Sequence, residues 1–185
     1  FTQGLIYLDG HLYEGTGQRG ASSLRKVDLE SGEVLQKSDL DAQYFGEGIT
    51  VFGDNIYQLT WTSGDVFVYD KESFALENTL SITGEGWGLT HDETHLIMSD
   101  GSNTLRYLDP ETLEEVKSVT VTDGGTGVDR LNELEYINGE VWANVWKSPT
   151  IVRINPETGE VNSRIDLSEI NQQKGMDDVL NGIAY

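Results

Sequence analysis

Short runs of alternating apolar and polar residues recur along this 185-residue chain, as in LIYLDGHLYEG, VFGDNIYQLTW, SGDVFVYD and GEVWANVW. Alternation with period two marks a half-buried strand, because successive side chains point to opposite faces. Each run is bounded by DG, GD, NG or SG, the pairs that supply the turns between antiparallel strands. The 21 glycines against 3 prolines fit that punctuation. Helical periodicity is nearly absent. The one helix candidate is 167–180, where Asp166 or Ser168 would cap a turn or two. The chain reads as all-β.

The runs repeat. The segments GLIYLDGHLYEGTG, GITVFGDNIYQLTW, GLTHDETHLIMSDG and ELEYINGEVWANVW superimpose without a gap, and GIAY opens a further copy. They start at Gly4, Gly48, Gly88, Glu133 and Gly182, at spacings of 44, 40, 45 and 49 residues. Each full copy continues into a third strand, a turn such as DPET or NPETG, and a fourth strand. Four strands in a period of about 40–45 residues describe a β-propeller blade. The expectation is one domain over 1–185, a five-bladed β-propeller present as four complete blades and the first strand of a fifth. An irregular sandwich is the alternative, and it leaves the ungapped repeat unexplained.

In a propeller the first strand of every blade lines the central channel, so equivalent positions form a ring. The position before each repeat start is Gln3, Glu47, Trp87, Asn132 and Asn181. A second column, at the end of the second strand, holds Gly17, Trp61, Gly101 and Trp146. Residues that merely hold a repeat together tend to be the same in every copy, whereas these differ. They predict an asymmetric pocket with one carboxylate, three amides and three indoles, suited to a small polar ligand between apolar walls. For Trp61 and Trp146 the plain alternative is packing between blades.

Charge narrows the partners. With 12 Lys and Arg against 32 Asp and Glu, the net charge is −20, which opposes nucleic acid and anionic membranes. No apolar run approaches the ~18 residues that suggest a transmembrane helix. The absence of cysteine rules out disulfides, thiolate metal sites and a thiol nucleophile in this chain. Phe1 opens directly on strand-like sequence, as expected of a mature or trimmed chain. Three motifs suggest chemistry but lack its setting. GTGQRG at 15–20 matches a dinucleotide fingerprint, but strand-like SSLRKVDLE follows it instead of a helix. HDETH at 91–95 falls on a turn, where i and i+4 do not share a face, so no metal site is expected. DGGTGVD at 123–129 reads as a flexible loop over the channel.

The motifs FTQG, FGEGIT, QLTW, GWGLT, LNELE, GEVWANVW and VLNGIAY occur in this order. Together they resemble the plant and bacterial type of glutaminyl-peptide cyclotransferase, over essentially the whole chain. That family is a five-bladed propeller, unrelated to the zinc-dependent animal enzyme, and it converts N-terminal glutamine of peptides to pyroglutamate with release of ammonia. The resemblance implies that Glu47 is the acid/base carboxylate. It implies that Gln3 and Asn132 bind the substrate's polar groups, with Asn181 beside them from the column. It implies that Phe1, Phe45, Trp61, Trp87 and Trp146 form aromatic walls. It implies no cofactor or metal, peptides with N-terminal Gln as partners, a monomer when the ring is complete, and an extracellular or periplasmic setting. The family continues past NGIAY with further strands, among them a Lys-containing motif of the pocket that has no counterpart here. A non-catalytic propeller binding a peptide or small polar ligand is the rival reading. A metal-dependent propeller hydrolase would need several converging carboxylates, and the first column holds one.

Overall fold

The computed structural model describes residues 1–169 and 179–185. It contains four antiparallel four-stranded sheets, each a simple meander in chain order. Blade one is β1 (Thr2–Leu8), β2 (His11–Thr16), β3 (Ser23–Asp28) and β4 (Val34–Asp39). Blade two is β5 (Gly46–Phe52), β6 (Asn55–Thr60), β7 (Asp65–Asp70) and β8 (Leu76–Ser81). Blade three is β9 (Leu89–His91), β10 (Leu96–Ser99), β11 (Thr104–Leu108) and β12 (Glu115–Thr120). The hairpin of β13 (Thr122–Asp123) and β14 (Thr126–Gly127) precedes blade four, which is β15 (Leu131–Ile137), β16 (Glu140–Val145), β17 (Thr150–Ile154) and β18 (Val161–Asp166). Burial falls from the axis outward, so β5 is largely buried and β8 largely exposed.

Local chemistry accounts for the meander. Asp9–Gly10 and Asn138–Gly139 both lie at positive φ, the two-residue turn whose twist matches an antiparallel pair. Between the third and fourth strands, the Oδ1 of Asp28, Asp70 and Asp109 accepts from the backbone nitrogens of Ser31, Ser73 and Thr112 at 2.8, 2.8 and 2.9 Å. Asn155 does the same for Thr158 in blade four at 3.0 Å. These Asx turns recur at one place in each repeat.

Apolar clusters fill the spaces between blades. Tyr13, Leu24, Ile49 and Phe67 join blades one and two. Leu59, Val66, Leu89 and Met98 join blades two and three. Ile97, Leu105, Leu134 and Val152 join blades three and four. Around the axis the inner strands meet backbone to backbone. A Cβ at Gly4 would stand 2.4 Å from the Ile49 nitrogen, and one at Gly88 would stand 2.0 Å from the Asn132 oxygen. The glycine column of the repeat is this contact.

Blade four carries Glu133 in that column. Its carboxylate accepts from Leu5 N of blade one (3.3 Å) and from Ile183 N (2.9 Å). The segment 179–185 thus occupies the gap between blades four and one. It is held there by side chains, with Gly182 N donating to Asn144 Oδ1 at 3.0 Å. The expected fifth strand is not assigned as one, because 179–185 has no ladder partner among the described residues.

One further expectation changes. The segment 123–129 does not lie over the channel. It belongs to the β13–β14 hairpin, which is fastened to blade four by Gly124 N on Glu160 Oε1 (2.9 Å) and Arg164 Nε on Asp123 Oδ2 (2.6 Å). The helix candidate at 167–180 falls mostly on 170–178, outside the described residues. GTGQRG spans the end of β2 and the turn into β3, so strand follows glycine as expected.

Candidate active site

The entry to the inner strands is irregular in three blades. Pairing slips between Thr2 and Gly4 in β1, between Gly46 and Ile49 in β5, and between Leu131 and Leu134 in β15. Each slip inserts one extra residue, and such bulges re-aim side chains. The slipped stretches contain Gln3, Glu47 and Asn132. One backbone hydrogen bond holds the second column beside the first in three blades: Gly17 N to Phe1 O (2.9 Å), Trp61 N to Phe45 O (3.0 Å) and Trp146 N to Arg130 O (2.8 Å).

The result is a cavity of about 400 Å³ lined by Phe1, Gln3, Phe45, Glu47, Trp61, Trp87, Asn132, Trp146, Lys147 and Val179. Its aromatic wall consists of two edge-to-face pairs. Phe45 meets Trp61 at 5.7 Å between ring centroids, and Trp87 meets Trp146 at 5.6 Å. The alternation of Gly and Trp in the second column has a steric cause. A Cβ at Gly17 would lie 2.3 Å from the Phe45 ring, and one at Gly101 would lie 2.7 Å from the Trp87 ring. Glycine stands where a neighbouring aromatic ring must pass, and tryptophan stands where the second column itself forms the wall.

Glu47 is only 5% exposed, and among the described residues its carboxylate has one hydrogen bond, from Gln3 Nε2 at 3.4 Å. Burial, and then the negative charge of Glu85, push its pKa well above the ordinary carboxylate value. Asn181 is not on the wall. It stands behind Gln3, donating from Nδ2 to Gln3 Oε1 (2.9 Å) and to Thr2 O (3.2 Å). That contact turns the amino group of Gln3 toward Glu47. Asn132 is 5% exposed, and its Oδ1 is buried without a partner among the described residues.

Over residues 1–185 the chain matches the family described as glutamine cyclotransferase. The chain belongs to the glutamine cyclotransferase family. It is 42% identical to a glutaminyl-peptide cyclotransferase of Arabidopsis thaliana, with all of this chain aligned and 60% of that protein. It therefore spans less than two thirds of that relative's length. The glutaminyl cyclase of Myxococcus xanthus superimposes with a TM-score of 0.92 at 38% identity, covering all of this chain and 80% of that one. The WD40 propeller domain of Doa1, at 13% identity and TM-score 0.59 over 88% of this chain and 52% of that one, shows the fold alone.

As a cyclotransferase-family site, the cavity holds two features that periodicity does not reveal. Lys147 lies on the wall, its Nζ 4.5 Å from the centre of the Trp146 ring, at a turn residue with φ of 58°. Its adjacency to Trp146 was the available signal. Glu85 accepts from the indoles of both Trp61 and Trp87. It directly precedes GWGLT, and only its place two residues before a column tryptophan marks it. Among the described residues no group of three or more His, Asp or Glu could hold a metal ion. In HDETH, Asp92 Oδ1 accepts from the nitrogens of Thr94 and His95, both at 2.7 Å, which makes it a turn cap.

Proposed function

We propose that the intact protein closes the N-terminal glutamine of peptides into pyroglutamate and releases ammonia, with Glu47 as the proton carrier and no metal taking part. The observation that carries this reading is Glu47 itself. It is a buried carboxylate with one long hydrogen bond among the described residues, facing a cavity walled by indoles. A group buried this deeply without its full set of partners is costly to stability, and an incoming polar substrate would supply the partners.

The reaction forms a bond from the α-nitrogen to the side-chain carbonyl carbon and breaks that carbon's bond to the amide nitrogen. The attacking amine must be neutral and sheds a proton as the bond forms. The departing nitrogen must gain one to leave as ammonia. One carboxylate serves both steps by taking the first proton and delivering the second. A raised pKa brings Glu47 closer to an α-amine, whose ordinary pKa is about 7.7–8.0. The edge-to-face aromatic pairs favour the curled side chain that brings amine and carbonyl together. The amides of Gln3 and Asn132, which line the same cavity, would hold the carbonyl oxygen as charge gathers there. Among the described cavity-lining residues Glu47 is the one carboxylate, a poor donor set for a catalytic ion.

The test is ammonia release from a Gln-initiated dipeptide by the full-length protein, with and without phenanthroline. Turnover that survives the chelator is expected. Activity lost to the chelator and restored by zinc would contradict the proton-carrier mechanism. No turnover, with the dipeptide still bound, would favour a peptide-binding propeller.

A further inference from the structure

We propose that Glu85 is a positioning residue that locks the two halves of the aromatic wall together, through hydrogen bonds from one carboxylate oxygen to the indoles of Trp61 and Trp87. The inference rests on the cyclisation reading for its effect on rate, and on geometry alone for the lock. Glu85 Oε2 accepts from Trp61 Nε1 at 2.8 Å and from Trp87 Nε1 at 2.9 Å. Trp61 belongs to one edge-to-face pair and Trp87 to the other. Among the described residues no ring pair joins Trp61 to Trp87, so it is the carboxylate that links the two indole rings, beside the backbone bond from Gly86 N to Trp61 O.

The loop that presents Glu85 is pinned along its length. Ile82 N donates to Gly64 O (2.8 Å), Arg106 Nη1 to Thr83 O (2.8 Å), Gly86 N to Trp61 O (3.1 Å) and Trp87 N to Ser99 O (3.0 Å). Glu85 is exposed, where a lone ion pair contributes little. Its geometry differs from that case. Hydrogen bonds to a charged acceptor are shorter and stronger than neutral ones, and an indole has a single N–H whose direction fixes the ring plane. One oxygen held by two indoles therefore sets two ring orientations at once. Trp61 is 38% exposed, so its contacts with Phe45 and Glu85 weigh heavily in fixing its ring, and loss of Glu85 removes one of them.

The decisive experiment labels the four tryptophans of the full-length protein with ¹⁵N and records their indole N–H signals. In Glu85→Ala the Trp61 and Trp87 signals move upfield while that of Trp142 stays. With a Gln-initiated dipeptide, kcat/KM falls on the order of 10- to 100-fold, as for a misplaced substrate-positioning surface. Glu85→Gln retains a carbonyl oxygen that accepts from both indoles. It recovers both signals and most of kcat/KM. Unmoved indole signals in Glu85→Ala would overturn the lock. Signals that move with kcat/KM unchanged would overturn its role in positioning. A wild-type protein that releases no ammonia would instead strike the cyclisation reading. The indole signals would still decide the lock, upholding it if they move and overturning it if they stay.

Discussion

Two buried glutamates occupy the channel of this propeller, and their surroundings differ. Glu133 lies in the interior, fully buried, with Leu5 N and Ile183 N donating to its two oxygens. Glu47 lies at the mouth, nearly as shielded, with one amide at 3.4 Å among the described residues and a cavity in front of it. Burial raises the pKa of both, most strongly among the causes in each case. For Glu133 the neighbouring Glu135 raises it further while the two backbone amides pull it down. For Glu47 the added influence is the charge of Glu85, also upward. A shifted pKa therefore does not separate the proposed proton carrier from the scaffold here. Partnership does: the interior carboxylate is occupied by backbone, and the one at the mouth awaits a partner.

The largest test of that contrast attacks the interior. Gly88→Ala drives a Cβ to 2.0 Å from the Asn132 oxygen. Chain and backbone must shift, and we expect a loss of about 3 kcal/mol or more, read as a collapse of the urea midpoint. An alanine variant of near wild-type stability would show that the inner strands are not in contact. A smaller effect joins the two regions. Asn181→Ala frees the Gln3 amide that points at Glu47, and kcat/KM should fall about tenfold, with circular dichroism unchanged. Activity equal to wild type would make Asn181 a bystander.

The smallest effect is a slope. The pKa of Glu135 is pushed up to about 8 by burial. The folded state thus holds this proton more tightly than the unfolded chain, whose glutamates titrate near about 4.3. Its contribution to stability is complete below that value and is lost as pH rises through about 8. Glu135→Gln should flatten the fall in stability across that window, measured by denaturant midpoints from acid to alkaline pH. An unaltered slope would place the titration elsewhere.

Much of the fold is legible in the chain because the repeat has steric causes. Glycine recurs at 4, 48, 88 and 182 where inner strands touch or the backbone turns, and Asx turns recur because each needs Asp or Asn followed three residues later by a donor. Glu133 interrupts the glycine column, and its meaning emerges only with 179–185 in place. The column logic brings Gln3, Glu47, Trp87 and Asn132 to one mouth. It does not foresee Asn181 behind Gln3, since a hydrogen bond and not strand alternation turns that side chain. Lys147 and Glu85 escape it because loop residues point where tertiary anchors aim them. The β13–β14 hairpin escapes it because its partners, Glu160 and Arg164, lie 36 or more residues away in sequence.

The most direct test of the account compares Glu47→Gln with Glu133→Gln in the full-length protein, measuring kcat on a Gln-initiated dipeptide and the melting temperature of each. Glu47→Gln should lose about 10²–10⁴-fold in kcat and keep its melting temperature. Glu133→Gln should keep kcat within a few-fold and lose roughly 1–3 kcal/mol, since an amide N–H₂ would face a backbone N–H. A folded Glu47→Gln protein with near wild-type turnover, or a Glu133→Gln protein that loses turnover without losing stability, would contradict the division of labour between the two carboxylates.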